Sequence, residues 1–187
     1  PWPVASSGGG ASMELLNPNL DNSLGSSWRA SAPQVSLNEA TIFSYKSNSW
    51  DWRPGDAEAS NPITAWRYGN FSKDGSWSLG VKSPIGYGRV NGVTLNTSLD
   101  EMRGNYSSIY LRNEFSINAG EIPSLINLYY VADDGFILWI NGKEVERLNY
   151  EGVANFDATA SGSGDEGKEY VKVIKNPGSF LIEGRNT

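Results

Sequence analysis

Tryptophans that lie in polar sequence are the residues of this chain best suited to bind a ligand. Trp50 and Trp52 fall in SNSWDWRPGD, and Trp66 is followed by Arg67 in ITAWRYGN. Sugar rings present apolar C–H faces that stack on aromatic planes, while Asp, Asn and Arg side chains bond the hydroxyl groups. We therefore take these four residues as candidate carbohydrate contacts. The alternative is that the tryptophans are core residues that close the ends of a β-sandwich.

Two other aromatic residues stand in different contexts. Tyr87 lies between Gly86 and Gly88, where it is either a loop anchor or a further ligand contact. Trp139 lies inside the apolar run FILWI and is expected in the core. Exposed aromatics around one concave face would favour sugar binding, whereas buried aromatics and exposed edge strands would favour a structural role.

The acidic motif with the clearest chemistry is Asp133-Asp134-Gly135. Its carboxylates could ligate Ca²⁺, which takes several oxygen ligands. The alternative is a turn in which Asp bonds its own backbone, since no third or fourth ligand follows at a regular spacing. Apart from this calcium option, no cofactor is expected. A looser acidic group is interpreted as solvated loop charge: Asp157, Asp165, Glu166 and Glu169.

The composition excludes several kinds of chemistry. The 187-residue chain has no cysteine and no histidine, which rules out disulfides, thiolate or imidazole zinc sites and nucleophile–histidine pairs. Its acids do not single out a pair that could flank a glycosidic bond, so we expect no enzyme. A net charge of −6 without clustered Lys or Arg disfavours nucleic acid. No apolar run approaches the roughly 20 residues of a membrane span.

The strongest fold signal lies in residues 125–148. Apolar runs meet at DDG (133–135) and again at NG (141–142). Tight hairpin turns favour these dipeptides because Gly and Asn adopt positive φ at little cost. The pattern predicts a three-stranded antiparallel meander, with structural turn residues Gly135, Asn141 and Gly142.

Other segments also indicate an all-β chain. Residues 108–117 (SIYLRNEFSI) alternate apolar and polar side chains, which predicts one half-exposed strand with Arg112 on its polar face. Leu99–Arg103 is expected to form one helical turn. Further strands are expected at residues 13–16, 40–45, 170–174 and 179–182.

The chain divides into two parts. Residues 1–12 (PWPVASSGGGAS) have the composition of a linker, and Ala32-Pro33 marks a boundary. We therefore expect a linker and the end of a preceding domain over residues 1–35, followed by a β-sandwich over residues 36–187.

Motifs along residues 40–187 follow the order found in one family. They are WSLGVKSPIGYG (77–88), SIYLRNEFSI (108–117), YVADDGFILWINGKEVERLN (130–149) and FLIEGRNT (180–187). In this order they resemble the galactose-binding-like jelly-roll modules of large secreted bacterial proteins. Residues 13–31 resemble the closing segment of a lamin-tail-type immunoglobulin-like domain. The positions that match the jelly-roll pattern are Trp77, Gly80, Pro84, Gly86, Tyr87, Gly88, Tyr110, Arg112, Phe115, Asp133, Asp134, Gly135, Asn141, Gly142, Glu144, Arg147, Gly184 and Asn186.

The resemblance implies a jelly-roll β-sandwich, mostly antiparallel, in an extracellular or cell-surface multidomain bacterial protein. The expected function is a non-catalytic module for carbohydrate binding or adhesion, with a polysaccharide or other glycan as ligand. The alternative is a structural spacer or assembly module of a surface layer, filament or adhesin, with neighbouring domains or chains as partners. In the family an apolar strand follows the Gly-x-Asn turn, so we expect residues 36–187 to lack their last strand.

Overall fold

The computed structural model describes residues 2, 12–31, 40–44, 49–89, 92–165 and 167–187. The chain forms two compact units, Pro1–Ala40 and Thr41–Thr187. In the first unit, β1 (Met13–Leu15) pairs antiparallel with β2 (Trp28–Ala30), so a strand does form within residues 13–16.

The second unit is built from short, mostly antiparallel strands. Three of them form a sheet in the order β4–β3–β7, namely β3 (Ser49–Pro54), β4 (Ser78–Lys82) and β7 (Ile109–Arg112). The other described strands pair two by two: β8 (Phe115–Ile117) with β13 (Gly184–Asn186), β9 (Leu125–Tyr130) with β12 (Tyr170–Lys175), β10 (Phe136–Ile140) with β11 (Lys143–Leu148), and, in parallel, β5 (Ile85–Gly86) with β6 (Thr97–Ser98). The all-β, mostly antiparallel fold predicted from the sequence is confirmed.

Helical structure in the described residues is limited to 3₁₀ turns, and none of them is long and apolar enough to cross a membrane. The turn at Asp100–Met102 is the one expected within Leu99–Arg103. The strand expected over residues 179–182 is wrong. A 3₁₀ turn occupies Pro177–Ser179, and the N–H groups of the next two residues donate back to the Pro177 carbonyl. Residues 40–44 form no strand, and residue 45 lies outside the described residues.

The turn at Asp133-Asp134-Gly135 does not join two paired strands. β9 pairs with β12, whereas β10 pairs with β11. The predicted meander is therefore wrong in its first hairpin, although its second hairpin forms. Gly135 is not among the residues with positive φ; an added Cβ there would lie 2.7 Å from the Leu148 carbonyl oxygen. Glycine is needed for this close approach to the end of β11, and not for a hairpin turn.

The strand predicted over residues 108–117 is divided into β7 and β8, which pair with different partners. Arg112, predicted on the polar face, is only 3% exposed. The alternation fails here because Arg112 packs against distant parts of the chain, where its terminal nitrogens donate to the Trp66 carbonyl and the Thr187 hydroxyl.

Most buried apolar residues described in the second unit fall into two clusters. The first lies between β8, β10 and the segment after β12, and Ile126 and Ile174 of the β9–β12 pair pack against it. Its buried members are Ile117, Ile140, Phe180 and Leu181. The second cluster is aromatic and contains Ala59, Trp66 and Trp77, with Phe71, Tyr110 and Trp139 packed around them. This second cluster supports the loop that carries the candidate site.

Candidate ligand-binding loop

Residues 62–72, the ligand loop, lie between β3 and β4 and contain the 3₁₀ turn Ala65–Arg67. The Ser60 hydroxyl closes the start of the loop. It accepts a hydrogen bond from the Trp66 N–H at 3.0 Å and donates one to the Pro62 carbonyl at 2.7 Å. The loop backbone is therefore held by its own hydrogen bonds, which reduces the entropy lost when a ligand binds.

Two arginines from distant strands hold the backbone of the ligand loop. Arg112 of β7 donates to the Trp66 carbonyl at 2.6 Å, and Arg185 of β13 donates to the Gly69 carbonyl at 2.7 Å. Both guanidinium groups also form ion pairs with the Glu114 carboxylate, with N–O distances of 3.2 Å for Arg112 and 3.6 Å for Arg185. Burial lowers the pKa of Arg112, and the Glu114 carboxylate opposes that shift. Bonds from charged donors are stronger than neutral ones, so these arginines fix the loop against β7 and β13.

Trp66 faces the core. Its ring meets those of Tyr110 and Trp139 edge to face, at centroid distances of 5.1 and 5.6 Å, and the residue is 8% exposed. A buried indole has no open face for a sugar ring. The structure therefore assigns Trp66 the second of the two roles left open by its sequence, and we correct its interpretation as a ligand contact.

Arg67 lies over the same aromatic cluster. Its guanidinium carbon is 3.9 Å from the centroid of the Trp139 ring and 5.7 Å from that of Trp66, which is cation–π geometry. Burial lowers the pKa of Arg67. Its Nε atom is buried and has no hydrogen-bond partner among the described residues. The structure thus brings together two predicted site residues: Trp66 is a core residue, and Arg67 lies over the ring of Trp66 and that of Trp139.

Tyr68 is the exposed aromatic residue of the ligand loop, at 46% exposure. Its ring packs against the β10–β11 turn, where Asn141 and Gly142 both have positive φ, at 52° and 81°. An added Cβ at Gly142 would overlap the Tyr68 ring, so glycine allows both the turn and the contact. Tyr68 also borders an open cleft of about 460 Å³, lined in addition by Pro62, Thr64, Ala65, Asn70, Phe71 and Ser72.

Trp50 and Trp52 lie on β3 and are half-buried. Trp50 packs edge to face on Phe43, at a centroid distance of 5.3 Å. Asp51 between them pairs with Lys73 and accepts a hydrogen bond from the Gly80 N–H. Among the described residues, no ring contact joins either tryptophan to Trp66, so the structure does not gather the three into one aromatic platform.

Tyr87 lies apart from the ligand loop, beyond β5. The residue is 39% exposed, and the Arg103 guanidinium lies 5.4 Å from the centroid of its ring. The arginine therefore covers part of an aromatic face that a sugar would use, which agrees better with a loop anchor than with a ligand contact.

The Asp133-Asp134 motif belongs to a loop junction. The Asp134 carboxylate accepts a hydrogen bond from the Gly164 N–H at 3.2 Å, and the Asp134 carbonyl accepts one from the Asn149 amide at 2.9 Å. In the part of the chain that the structure describes, no three acidic side chains converge as they would around a cation. The geometry supports a role in joining two loops, and it supplies no argument for calcium.

Sequence reasoning missed three residues of this site. Tyr68 follows Arg67 directly, but nothing in the local sequence separates an exposed aromatic from a buried one. Arg185 contacts the loop from 116 positions away in sequence. Arg112 is part of the family pattern, which gave a signal of importance without indicating burial.

Comparison with protein-family models, with curated proteins and with solved structures finds no match for this chain.

Proposed function

We propose that residues 41–187 form a non-catalytic module that binds a glycan on the ligand loop. The observation that carries the proposal is the exposed Tyr68 ring beside a cleft lined by the polar side chains of Thr64, Asn70 and Ser72. An aromatic plane can stack on the C–H face of a sugar, and hydroxyl and amide groups beside it can bond the sugar hydroxyls. The anchored backbone of the loop supports this role.

The finer assignment, to the galactose-binding-like jelly-roll modules, is part of the same proposal. It is supported by motif residues whose residue type has a clear structural role at their position. Arg112 bonds the loop backbone, Gly142 adopts positive φ against Tyr68, and Asn186 is fully buried. An extracellular or cell-surface location in a multidomain bacterial protein follows from that assignment and is proposed with it.

We propose binding without a reaction because the carboxylates near the ligand loop already serve protein groups. Glu114, Glu144 and Glu58 each accept hydrogen bonds from other side chains. A general acid or base must be able to exchange a proton with the substrate, and the chain has no histidine for that purpose.

The test is a binding screen against neutral and acidic polysaccharides, followed by titration calorimetry. Tyr68→Ala should weaken binding roughly thirtyfold, since losing a stacked aromatic at a hot spot costs about 2 kcal/mol. Tyr129→Ala removes another exposed tyrosine, from β9, and should leave the affinity unchanged. Failure to bind any polysaccharide, or equal losses in both variants, would contradict the proposal.

A second function, contact with a neighbouring chain, is favoured by one face of the β9–β12 pair. Tyr129 stands opposite Val171 across the two strands, and the side chains of this face point to solvent. Contiguous exposed apolar residues often mark protein contacts. The exposed apolar residues of this face, together with Val131 just after β9, are Leu125, Tyr129, Val131, Val171 and Val173.

Sedimentation over a range of concentrations tests this second function. A contact through the β9–β12 face predicts self-association that Val171→Lys abolishes. A chain that stays monomeric and binds glycan would favour the first function.

A further inference from the structure

We infer that the glycan carries a carboxylate and that Arg67 binds it, so the ligand is a uronate-containing polysaccharide. This inference rests on the proposed function of the ligand loop and adds the chemical class of its ligand. Three observations support it: the Arg67 side chain lacks a hydrogen-bond acceptor among the described residues, the neighbouring carboxylates are already bonded to other groups, and Arg67 directly precedes Tyr68 in the loop.

Arg67 differs from the other described arginines in its partners. Among the described residues its side chain has two ring contacts and no hydrogen bond. Its Nε atom is buried without an acceptor, as is that of Arg112, but Arg112 donates hydrogen bonds through its other guanidinium nitrogens. The buried Nε atom is out of reach of a ligand, so a ligand carboxylate would bond the terminal guanidinium nitrogens, which have no acceptor in the part of the chain that the structure describes. The arginines that do bond protein acceptors are Arg29, Arg53, Arg112, Arg147 and Arg185, while Arg89 and Arg103 are exposed.

Two carboxylates lie close enough to influence Arg67, but both are already engaged. Glu144 accepts two hydrogen bonds from Arg147, at 2.7 and 2.6 Å. Glu58 accepts one from the Tyr110 hydroxyl at 3.1 Å, and another from a backbone N–H. Neither forms an ion pair with Arg67, so no described carboxylate directly neutralises the charge of this guanidinium group.

The surroundings of Arg67 favour an anion that is part of a sugar. A planar guanidinium matches a carboxylate with two parallel hydrogen bonds, and partial burial strengthens the attraction because water screens it less. Tyr68, the next residue, offers the exposed ring. A uronate presents both a carboxylate and an apolar ring face, whereas an acidic peptide presents only the first.

The experiment measures binding of oligogalacturonate and oligomannuronate, each beside its carboxyl-reduced form, which keeps the sugar ring and loses the charge. Wild-type protein should bind at least one acidic form about tenfold or more tightly than its reduced counterpart, as expected for the loss of a charged hydrogen bond. Arg67→Met should remove that difference. Arg29→Met removes an exposed arginine of the first unit, and should leave the difference in place. Arg67→Lys keeps the charge without the planar fork and should retain only part of the preference.

Equal binding of acidic and reduced forms would overturn the inference while leaving glycan binding intact. An unchanged preference in Arg67→Met would also overturn it. Absence of binding to all four ligands and to neutral polysaccharides would remove the proposed function together with the inference. Tighter, Arg67-dependent binding of a polyglutamate peptide would show that the partner is an acidic protein instead. The comparison of ligands uses wild-type protein, so it holds even if a variant fails to fold.

Discussion

The side-chain amide of Asn141 donates a hydrogen bond of 2.7 Å to the side-chain carbonyl of Asn186. Asn186 is fully buried, and its own amide donates to the carbonyls of Ile182 and Gly184 at 2.8 and 3.0 Å. Its side-chain carbonyl also accepts the Ile182 N–H at 2.9 Å. One asparagine therefore satisfies the backbone of the turn that leads into β13 and joins it to the β10–β11 hairpin.

This link also positions the ligand loop. Gly142, the second residue of the same hairpin turn, packs against Tyr68. Arg185, next to Asn186 on β13, bonds the Gly69 carbonyl. The Asn141–Asn186 pair thus joins both surfaces on which the loop rests, which explains why motif residues far from the exposed Tyr68 can matter for binding.

Asn186→Ala should destabilise the second unit by about 3 kcal/mol or more. It removes the side-chain partner of the Ile182 N–H and of the Ile182 and Gly184 carbonyls, while the Asn141 amide keeps its bond to the Phe180 carbonyl. Each buried group left unsatisfied costs about 1–3 kcal/mol. Urea denaturation followed by tryptophan fluorescence measures the change. Asn127→Ala, at an exposed position of β9, is the matched control and should change the stability by less than about 0.5 kcal/mol.

A double-mutant cycle isolates the Asn141–Asn186 bond itself. Asn141→Gly removes the side chain but tolerates the positive φ of this position. The two substitutions should couple by about 0.5–3 kcal/mol, the range for residues in direct contact. Strict additivity would show that the pair contributes nothing beyond its separate contacts.

Gly142→Ala should cost more stability than Gly80→Ala. Both glycines have positive φ, at 81° and 76°, so both substitutions introduce the same backbone strain. An added Cβ at Gly80 meets open space, whereas at Gly142 it overlaps the Tyr68 ring. Thermal unfolding of the two variants gives the difference. In a Tyr68→Ala background the excess cost of Gly142→Ala should vanish; its persistence would mean that the ring contact is not its cause.

Stability should fall as the pH rises above about 10, the ordinary pKa of tyrosine. Burial, reinforced by Glu101, raises the pKa of Tyr106 to about 12, and burial reinforced by Glu58 raises that of Tyr110. The folded state then holds phenolic protons that the unfolded state releases, so unfolding is favoured as the pH passes from 10 through the folded-state values.

Urea midpoints measured between pH 8 and 12 test this dependence. Tyr110→Phe removes one of the two groups and should make the alkaline loss of stability shallower. The same slope in the variant and in the wild-type protein would contradict the assignment to Tyr110.

The hairpin at Asn141-Gly142 was predictable because its cause is local. A two-residue turn between apolar runs requires positive φ, and these residue types supply it. The Asp133-Asp134-Gly135 motif looks similar in sequence but belongs to a different arrangement. Its glycine allows close approach to the Leu148 carbonyl, and the partner of β9 is β12. No local pattern encodes a partner 40 residues away.

The candidate site was predictable only in part, for the same reason. Trp66 and Arg67 could be selected as site residues because their local sequence, ITAWRYGN, is polar. Whether the Trp66 ring is buried, however, depends on residues such as Tyr110 and Trp139, which contact it only in the folded chain. The burial of Arg112 likewise depends on distant acceptors. Local alternation therefore predicted the wrong face for Arg112, while Tyr68, the exposed residue, carried no distinguishing pattern.

Chemical-shift mapping on ¹⁵N-labelled protein tests the central claim most directly. Titration with the oligosaccharide that binds best in the screen should shift the amide signals of residues 62–72 and of the Asn141-Gly142 turn, saturably and with one affinity. The amides of β9 and β12 should not respond. Shifts confined to β9 and β12, or the absence of any saturable shift in residues 62–72, would contradict glycan binding on the ligand loop.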